Sequence, residues 1–433
     1  MKRPGIQGVK PVTVNKNSSA DFKPEANKKY REKNNMQKYL IIGNGAAGTT
    51  AAETIRRHDS EGSIIIITDE NLPFYSRLRL NEYIEGKINK EKLIIKKEKW
   101  YQDNNIELIP DTRIIDADPK NKTVLTKGGK NISYDRLLVA TGSHSFVPPI
   151  KGVEKKGVFT LRNIKNAENI IKYADTIDDV VIIGGGLLGI EVGYALLKSG
   201  KKVLIVEFFP RLLPRQLDDD GAKRLQSIME DMGFSFRLGA KTKEVAGKDQ
   251  AEDVLLENGE TLPAKMVIIS AGVRPNLDLA ESLGVHCDKG IVVDDHMKTD
   301  KADIYAAGDV AEFENRLLGI WPAAMDQGKA AGLNMAGADM IYKGTTMSNA
   351  LKVAGIELAS AGDIDAENRL ESEVFTDNQV YKKLVIDNDK IVGCIMLGDK
   401  KGFNKITRAM SEKKNVSHLK DQILSKEFNF ERL

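Results

Sequence analysis

The chain has two cysteines in 433 residues, Cys287 and Cys394, and none before position 287. Two thiols so far apart give no disulfide framework, no C-x-x-C pair and no zinc-ligand spacing. A small buried apolar side chain is the expectation for each. Long apolar runs are also missing. The longest, such as Ile64–Ile67 and Val180–Ile183, are strand-sized, far below the roughly 18 residues a membrane helix needs. The N-terminus is basic but lacks the apolar core of a secretory signal, so a cytoplasmic location is expected. A net charge of +3, with no stripe interleaving basic and aromatic residues, gives no case for nucleic acid. What remains is a soluble globular chain long enough for roughly two or three packed domains.

The charge is unevenly spread. Residues 1–36 carry nine Lys or Arg against three Asp or Glu and few large apolar side chains, so they bury too little surface to offset their ordering entropy. Disorder is the expectation, as a solvated extension or as a docking arm for an acidic partner. Met36, directly before the first strand, is a third reading: the start of the folded unit.

From Gln37 a strand–helix–strand order occurs twice. Lys38–Ile42, Ala46–Arg57 and Ser63–Thr68 form the first copy, and Val180–Ile183, Leu187–Lys198 and Lys202–Val206 the second. "GNGAAG" (Gly43–Gly48) and "GGGLLG" (Gly184–Gly189) join strand to helix in each. Gly43 and Gly184 make the tight turn, Gly45 and Gly186 let backbone approach phosphate, and Gly48 and Gly189 let helix and strand pack closely. The helix N-terminus supplies free N–H groups and a positive dipole end for a pyrophosphate. A glycine turn alone is weak evidence, but both copies follow a strand and open a helix, as the motif requires. Each is followed roughly 20 residues on by an acid able to accept from ribose hydroxyls and repel a 2′-phosphate. These acids are Asp69 or Glu70, and Glu207. NADH is thus favoured over NADPH at the second site, with Arg211 and Arg215 assigned to surface ion pairs rather than to a phosphate.

"LLVATGS" (Leu137–Ser143) and "VIISAGVRPN" (Val267–Asn276) are short buried strands ending in small-residue turns, each closing one nucleotide-binding half. "DIYAAGDVAEF" (Asp303–Phe313) is a strand ending at Gly308-Asp309, after which a helix is expected; a carboxylate there can accept from a cofactor hydroxyl.

This order of motifs resembles the FAD-dependent pyridine nucleotide-disulfide oxidoreductase superfamily from Gln37 to about residue 400. "LPFYSRLRLNEYIEGK" (Leu72–Lys87), "DDHMKTDKADIYAAGDVAEF" (Asp294–Phe313) and "WPAAMDQGKAAGLNMAG" (Trp321–Gly337) are most similar to NADH:rubredoxin oxidoreductases and the flavin portion of assimilatory nitrite reductases. The resemblance implies an α/β fold: two Rossmann-like three-layer domains in the glutathione-reductase manner plus a small α+β C-terminal domain. It implies FAD binding by 37–147 and 270–343, NAD(H) binding by 148–269, and an interface-like domain over 344–433. It places FAD at Gly43, Gly45, Ala46, Ala47, Gly48, Asp69 or Glu70, Arg77, Arg113, Ile114, Ala140, Thr141, Gly142, Gly272, Gly308, Asp309 and Trp321. NADH falls to Gly184, Gly186, Leu187, Leu188, Gly189, Glu191 and Glu207.

The missing thiols now matter. Disulfide reductases of this superfamily hold a cysteine pair beside the flavin, and several NADH oxidases and peroxidases use one cysteine there. With neither, electrons leave FAD directly for an external acceptor. A small acidic redox protein such as rubredoxin is the expected partner, steered by the basic arm and by Lys400–Lys426. An electron-input subunit of a larger complex and a cysteine-independent NADH oxidase stand as alternatives, and a homodimer is left open. A second departure concerns charge. Where related ferredoxin reductases set a Lys opposite a Glu of the second fingerprint helix, this chain has Asn81-Glu82 and Glu191. Two carboxylates would repel, so Arg77 or Arg79 is expected to neutralise one beside the flavin. In the last ninety residues, "YKKLVIDNDKIVGCIMLGD" (Tyr381–Asp399) predicts a hairpin turning at Asn388-Asp389, followed by a helix in "GFNKITRAMSEK".

Overall fold

The computed structural model describes residues 36–433 except 346, 347, 379 and 426, and gives 348–353 as backbone alone. The chain divides after Met36, and Gln37–Leu433 form one unit. The basic arm expected over residues 1–36 lies, but for Met36, outside the described residues.

Two parallel sheets carry the repeat. In the first, Lys38–Ile42 lies between Ser63–Ile67 and Arg136–Val139, with Ile106–Ile109 beyond the former and Ile304–Ala306 beyond the latter. In the second, Asp179–Ile183 lies between Lys202–Glu207 and Met266–Ile269, flanked by Ser235–Leu238 and Val158–Phe159. Both central strands are nearly unbroken Val, Ile and Leu because each is covered on both faces. Ile41, Ile66, Leu138 and Ile182 are fully buried.

The first sheet's fingerprint helix, Ala46–His58, packs against Trp321–Met335 at very short range. A Cβ on Gly328 would sit 2.3 Å from the Ala47 carbonyl oxygen, and one on Gly332 would sit 2.7 Å from that of Ala51. Alanines on one helix and glycines on the other therefore set the spacing. Two chain crossings join the two sheets' units, where Ser143–Ser145 pairs antiparallel with Val273–Pro275.

The segment after Gly308-Asp309 departs from expectation. It is a strand, Ala311–Phe313, pairing in parallel with Ile291–Val293, and the helix opens only at Trp321. Pairing with a distant strand outweighs the local helical preference of "VAEFEN".

The C-terminal part is a five-stranded antiparallel sheet in the order Ser348–Val353, Ile356–Gly362, Lys390–Leu397, Val380–Asp387, Glu371–Asp377, with the helix Phe403–Ser411 packed on it. Asn388 and Asp389 have φ of 48° and 60°, the left-handed pair that a two-residue hairpin turn requires. Cys394 is fully buried in the adjoining strand. Among the described residues no helix is long and apolar enough to cross a membrane.

A candidate two-nucleotide site

At the carboxyl ends of the first sheet's strands opens a cavity of about 700 Å³. Gly43, at φ +117°, builds its floor: a Cβ there would lie 2.1 Å from the Ala140 carbonyl oxygen. One on Gly48 would lie 2.0 Å from the Gly43 carbonyl oxygen. Gly45 differs, with nothing within 4 Å of its Cβ position, so the chain leaves a cradle open at the helix N-terminus. That helix has no side-chain cap and no acid in its first turn, whereas Ile164–Ala174 and Asp219–Asp231 are capped by Asn163 and Asp218. Unclaimed N–H groups behind an open glycine cradle are suited to a phosphate.

Gly43, Gly45, Ala46, Ala47, Asp69, Glu70, Arg77, Arg113, Ile114, Ala140, Thr141, Gly142, Gly308, Asp309 and Trp321 all line this cavity. Glu70, half-buried, accepts from the Tyr75 hydroxyl at 2.6 Å and from the Arg77 guanidinium, while Asp69 is exposed. Burial pushes the Tyr75 phenol well above its ordinary range, so it stays a donor. Asp309 Oδ2 accepts from Ser143 Oγ at 2.7 Å and from Arg162 Nη2 at 2.5 Å. Trp321 stacks on Phe74 with ring centroids 5.5 Å apart. The Phe74 N–H donates to the Tyr101 hydroxyl (3.0 Å), which donates to Asn44 Oδ1 (2.9 Å). Asn44 Nδ2 is buried without a partner. Arg113 pairs with Asp278 at 2.6 Å on the rim.

Four features of this wall escape sequence reading: Arg162, Ser143, Tyr75 and Asn44. Asn44 was in plain view inside "GNG". Arg162 sits in the link between the two units with no motif around it, and its own carbonyl accepts from Arg77 Nη1 at 3.0 Å.

The second fingerprint repeats the construction. Gly184 has φ +118°, and its Cβ would lie 2.3 Å from the Ser270 carbonyl oxygen; Gly186 again has nothing within 4 Å. The helix Leu187–Lys198 begins without a side-chain cap, with Leu187 and the exposed Leu188 in its first turn. A Cβ on Gly189 would lie 2.1 Å from the Gly184 carbonyl oxygen. Glu207 ends the neighbouring strand, buried, accepting the Gly185 and Phe209 N–H groups at 2.5 and 2.8 Å. Arg211 pairs with Asp219 at 3.0 Å. Gly272, at φ +97°, lies on the crossing between the units, its carbonyl accepting from Phe146, outside the lining of the large cavity.

The charge arrangement around Glu191 differs from the one expected. Glu82 forms a two-contact pair with Arg79 (3.0 and 2.8 Å), and neither lines the cavity. Arg77 is committed to Glu70. Glu191 instead faces Asn81, whose Nδ2 lies 3.4 Å from Oε2, and the backbone N–H of Ala354. Burial pushes its carboxyl up to about 7, with the nearby Glu85 carboxylate adding to the rise and Lys87 opposing it. Because the folded group holds its proton more tightly than the unfolded one, its stabilising effect is full below the ordinary glutamate range near 4.3. It is lost as pH rises toward 7. Glu191→Gln is therefore expected to gain in melting temperature relative to the parent between pH 4.5 and 8, by the equivalent of about 3 kcal/mol at most. A difference between the two proteins that does not change with pH would refute the assignment.

Two parallel dinucleotide-fold units, each with an open glycine cradle under an uncapped helix, and a small antiparallel domain after them define the class: a protein built to hold two nucleotides. The chain belongs to the pyridine nucleotide-disulphide oxidoreductase family, whose model matches residues 37–328; residues 348–414 match the rubredoxin NAD+ reductase C-terminal domain. It is 35% identical over 393 residues to the NADH-rubredoxin oxidoreductase of Clostridium acetobutylicum, covering 90% of this chain and 98% of that protein. The crystal structure of NADH:rubredoxin oxidoreductase from the same organism superposes with a TM-score of 0.76 at 32% identity, covering 92% of this chain and all of that one. The nitrite reductase [NAD(P)H] of Bacillus subtilis is 34% identical over 382 residues, covering 87% of this chain. The chain spans about half the length of that protein and of a Bacillus subtilis assimilatory nitrate reductase electron transfer subunit, 48% and 51%.

Proposed function

We propose that the chain is an FAD flavoprotein that takes two electrons from NADH and delivers them one at a time to two molecules of a separate small redox protein of the rubredoxin type. The observation that carries this reading is the duplication itself: two open cradles, each backed by an acid, Glu70 and Glu207, on one chain. FAD supplies two-electron acceptance from a hydride donor and one-electron release. The chain's residues supply the rest. First-turn amides of Ala46–His58 meet the pyrophosphate, Glu70 the ribose hydroxyls, and Asp309, backed by Arg162 and Ser143, a polyol hydroxyl. Each NADH consumed yields NAD+, one proton and two electrons.

Thiol chemistry has no place in this cycle. Cys287 is half-buried and its thiol is pushed up by burial; Cys394 is fully buried and pushed up to about 12. Neither lines the cavity. Free thiols accord with a cytoplasmic location. The small-protein acceptor is supported by the names of the Clostridium relative and of the C-terminal family model. Steering by Lys400–Lys426 is weaker than its sequence suggests, since Lys400, Lys405, Lys414 and Lys420 pair with Glu357, Glu431, Glu412 and Glu371. A second reading, the electron-input portion of a larger reductase, is favoured by the match to half of the Bacillus nitrite reductase.

The purified protein is expected to be yellow, with one FAD per chain, and to be bleached anaerobically by NADH much faster than by NADPH. Glu207→Ala should narrow that preference by removing the charge that repels a 2′-phosphate. Faster bleaching of the parent by NADPH would overturn the NADH assignment.

A further inference from the structure

Directly after Glu207 stand two phenylalanines that the fold leaves in water. Phe208 is 62% and Phe209 50% exposed, with ring centroids 5.4 Å apart and planes at 85°. The loop carrying them is well anchored. The Phe209 N–H is held by Glu207, its carbonyl accepts from Gly239 at 2.9 Å, and the Leu213 N–H donates to the Gly185 carbonyl at 3.2 Å. Leu212, Leu213 and Leu217, a few residues on, are fully buried. The same loop therefore sends its leucines inward and holds two aromatic rings outward, next to the fingerprint turn. Rings of this size normally gain from burial. A pair kept exposed on an anchored loop is a surface waiting for a flat partner.

The chemistry of NADH supplies one. In an adenosine, the base is attached to the sugar carbon next to the one bearing the 2′-hydroxyl. A ribose whose hydroxyls face Glu207 thus carries its adenine within a residue's reach of that carboxylate, where Phe208 begins. Glu207 already spends one lone pair of each oxygen on the Gly185 and Phe209 N–H groups. It therefore fixes the ring-bearing backbone and faces the ribose with what remains.

We propose that Phe208 and Phe209 form the platform on which the adenine of NADH stacks, and that they set affinity for the adenosine half of the nucleotide without taking part in hydride transfer. This rests on the NADH reading above. Base–aromatic stacking of this kind is strong enough that losing it weakens binding by about tenfold or more.

The test uses the flavin-loaded full chain, as parent, Phe208→Ala, Phe209→Ala, the double variant and Phe208→Trp. Three ligands separate the halves of the nucleotide: NADH, reduced nicotinamide mononucleotide, which keeps the hydride but lacks the adenosine, and ADP-ribose, which lacks the nicotinamide. The double variant should bind ADP-ribose about tenfold more weakly by calorimetry. It should need correspondingly more NADH for half-maximal bleaching, while the limiting bleaching rate and the response to reduced nicotinamide mononucleotide stay unchanged. Phe208→Trp should retain affinity for ADP-ribose. ADP-ribose and NADH affinities within twofold of the parent would overturn the platform. So would an equal loss with reduced nicotinamide mononucleotide, which places the effect in the fold. A loss confined to transfer onto a protein acceptor would reassign the rings to docking. If the parent itself neither binds ADP-ribose nor is bleached by NADH, the NADH reading has failed instead.

Discussion

Replacing Gly184 by alanine is expected to leave a yellow protein that NADH bleaches at least 100-fold more slowly than the parent, while dithionite still bleaches it fully. At φ +118° an L side chain is strained, and its Cβ would stand 2.3 Å from the Ser270 carbonyl oxygen. The obstacle is backbone at the end of a central parallel strand rather than the tip of a flexible side chain. The turn must therefore move, and with it the amides that open the second fingerprint helix. The first site is built by other residues, so its flavin stays. Gly43→Ala is the mirror experiment, because its Cβ would lie 2.1 Å from the Ala140 carbonyl oxygen. That protein should be recovered colourless or largely depleted of FAD. If Gly184→Ala is bleached by NADH within a few-fold of the parent, the second fingerprint does not hold the reductant.

The second large effect concerns stability. Asp218 caps the helix Asp219–Asp231 through the Gly221 N–H (3.1 Å), accepts from the Tyr381 hydroxyl at 2.6 Å and pairs with Lys383 at 3.2 Å. Both charged side chains are almost fully buried, at 5% and 1% exposure. The Lys383 ammonium also donates to the Asp365 carbonyl (3.0 Å) and Asn368 Oδ1 (2.8 Å). Removing the carboxylate leaves a buried cation half-compensated, a phenol without its acceptor and a helix without its cap. Asp218→Ala is expected to cost about 3–5 kcal/mol, read as a large fall in melting temperature. Asp218→Asn has one acceptor oxygen where the aspartate uses two, so it keeps the cap or the acceptor for Tyr381 but not both, and should fall between parent and alanine. An alanine variant melting within a degree or two of the parent would show that this junction does not hold the C-terminal sheet to the second unit.

Much of this architecture was legible because it rests on backbone geometry that few residues allow. Gly43, Gly48, Gly184 and Gly189 are fixed by collisions with carbonyl groups, so their spacing betrays strand, turn and helix together. The Asn388-Asp389 turn was legible for the same reason. What the sequence concealed depends on which way a short element turns. Glu82 was expected to face Glu191, but on the short helix Leu80–Ile84 one residue is a rotation of about 100°. Asn81 takes the inward position and Glu82 turns to Arg79. Arg162 was invisible because its partner Asp309 lies 147 positions away and no local pattern marks a lone arginine in a link. The helix expected after Asp309 failed because a three-residue strand is decided by its partner, Ile291–Val293, and not by its own composition.

The nested order of the two sheets has a consequence for how the protein is made. The second sheet draws only on residues 158–269, so every strand it needs has been synthesised before the chain reaches 304. The first sheet starts emerging earlier but lacks its edge strand, Ile304–Ala306, until 237 residues after Ile67, the end of Ser63–Ile67. Domains fold as their last essential segment emerges, and closure of distant pairings is slow. The unit begun second is thus the one completed first. During that interval the nascent chain displays Arg136–Val139 as an unpaired apolar edge, the stretch that most needs shielding from neighbouring chains.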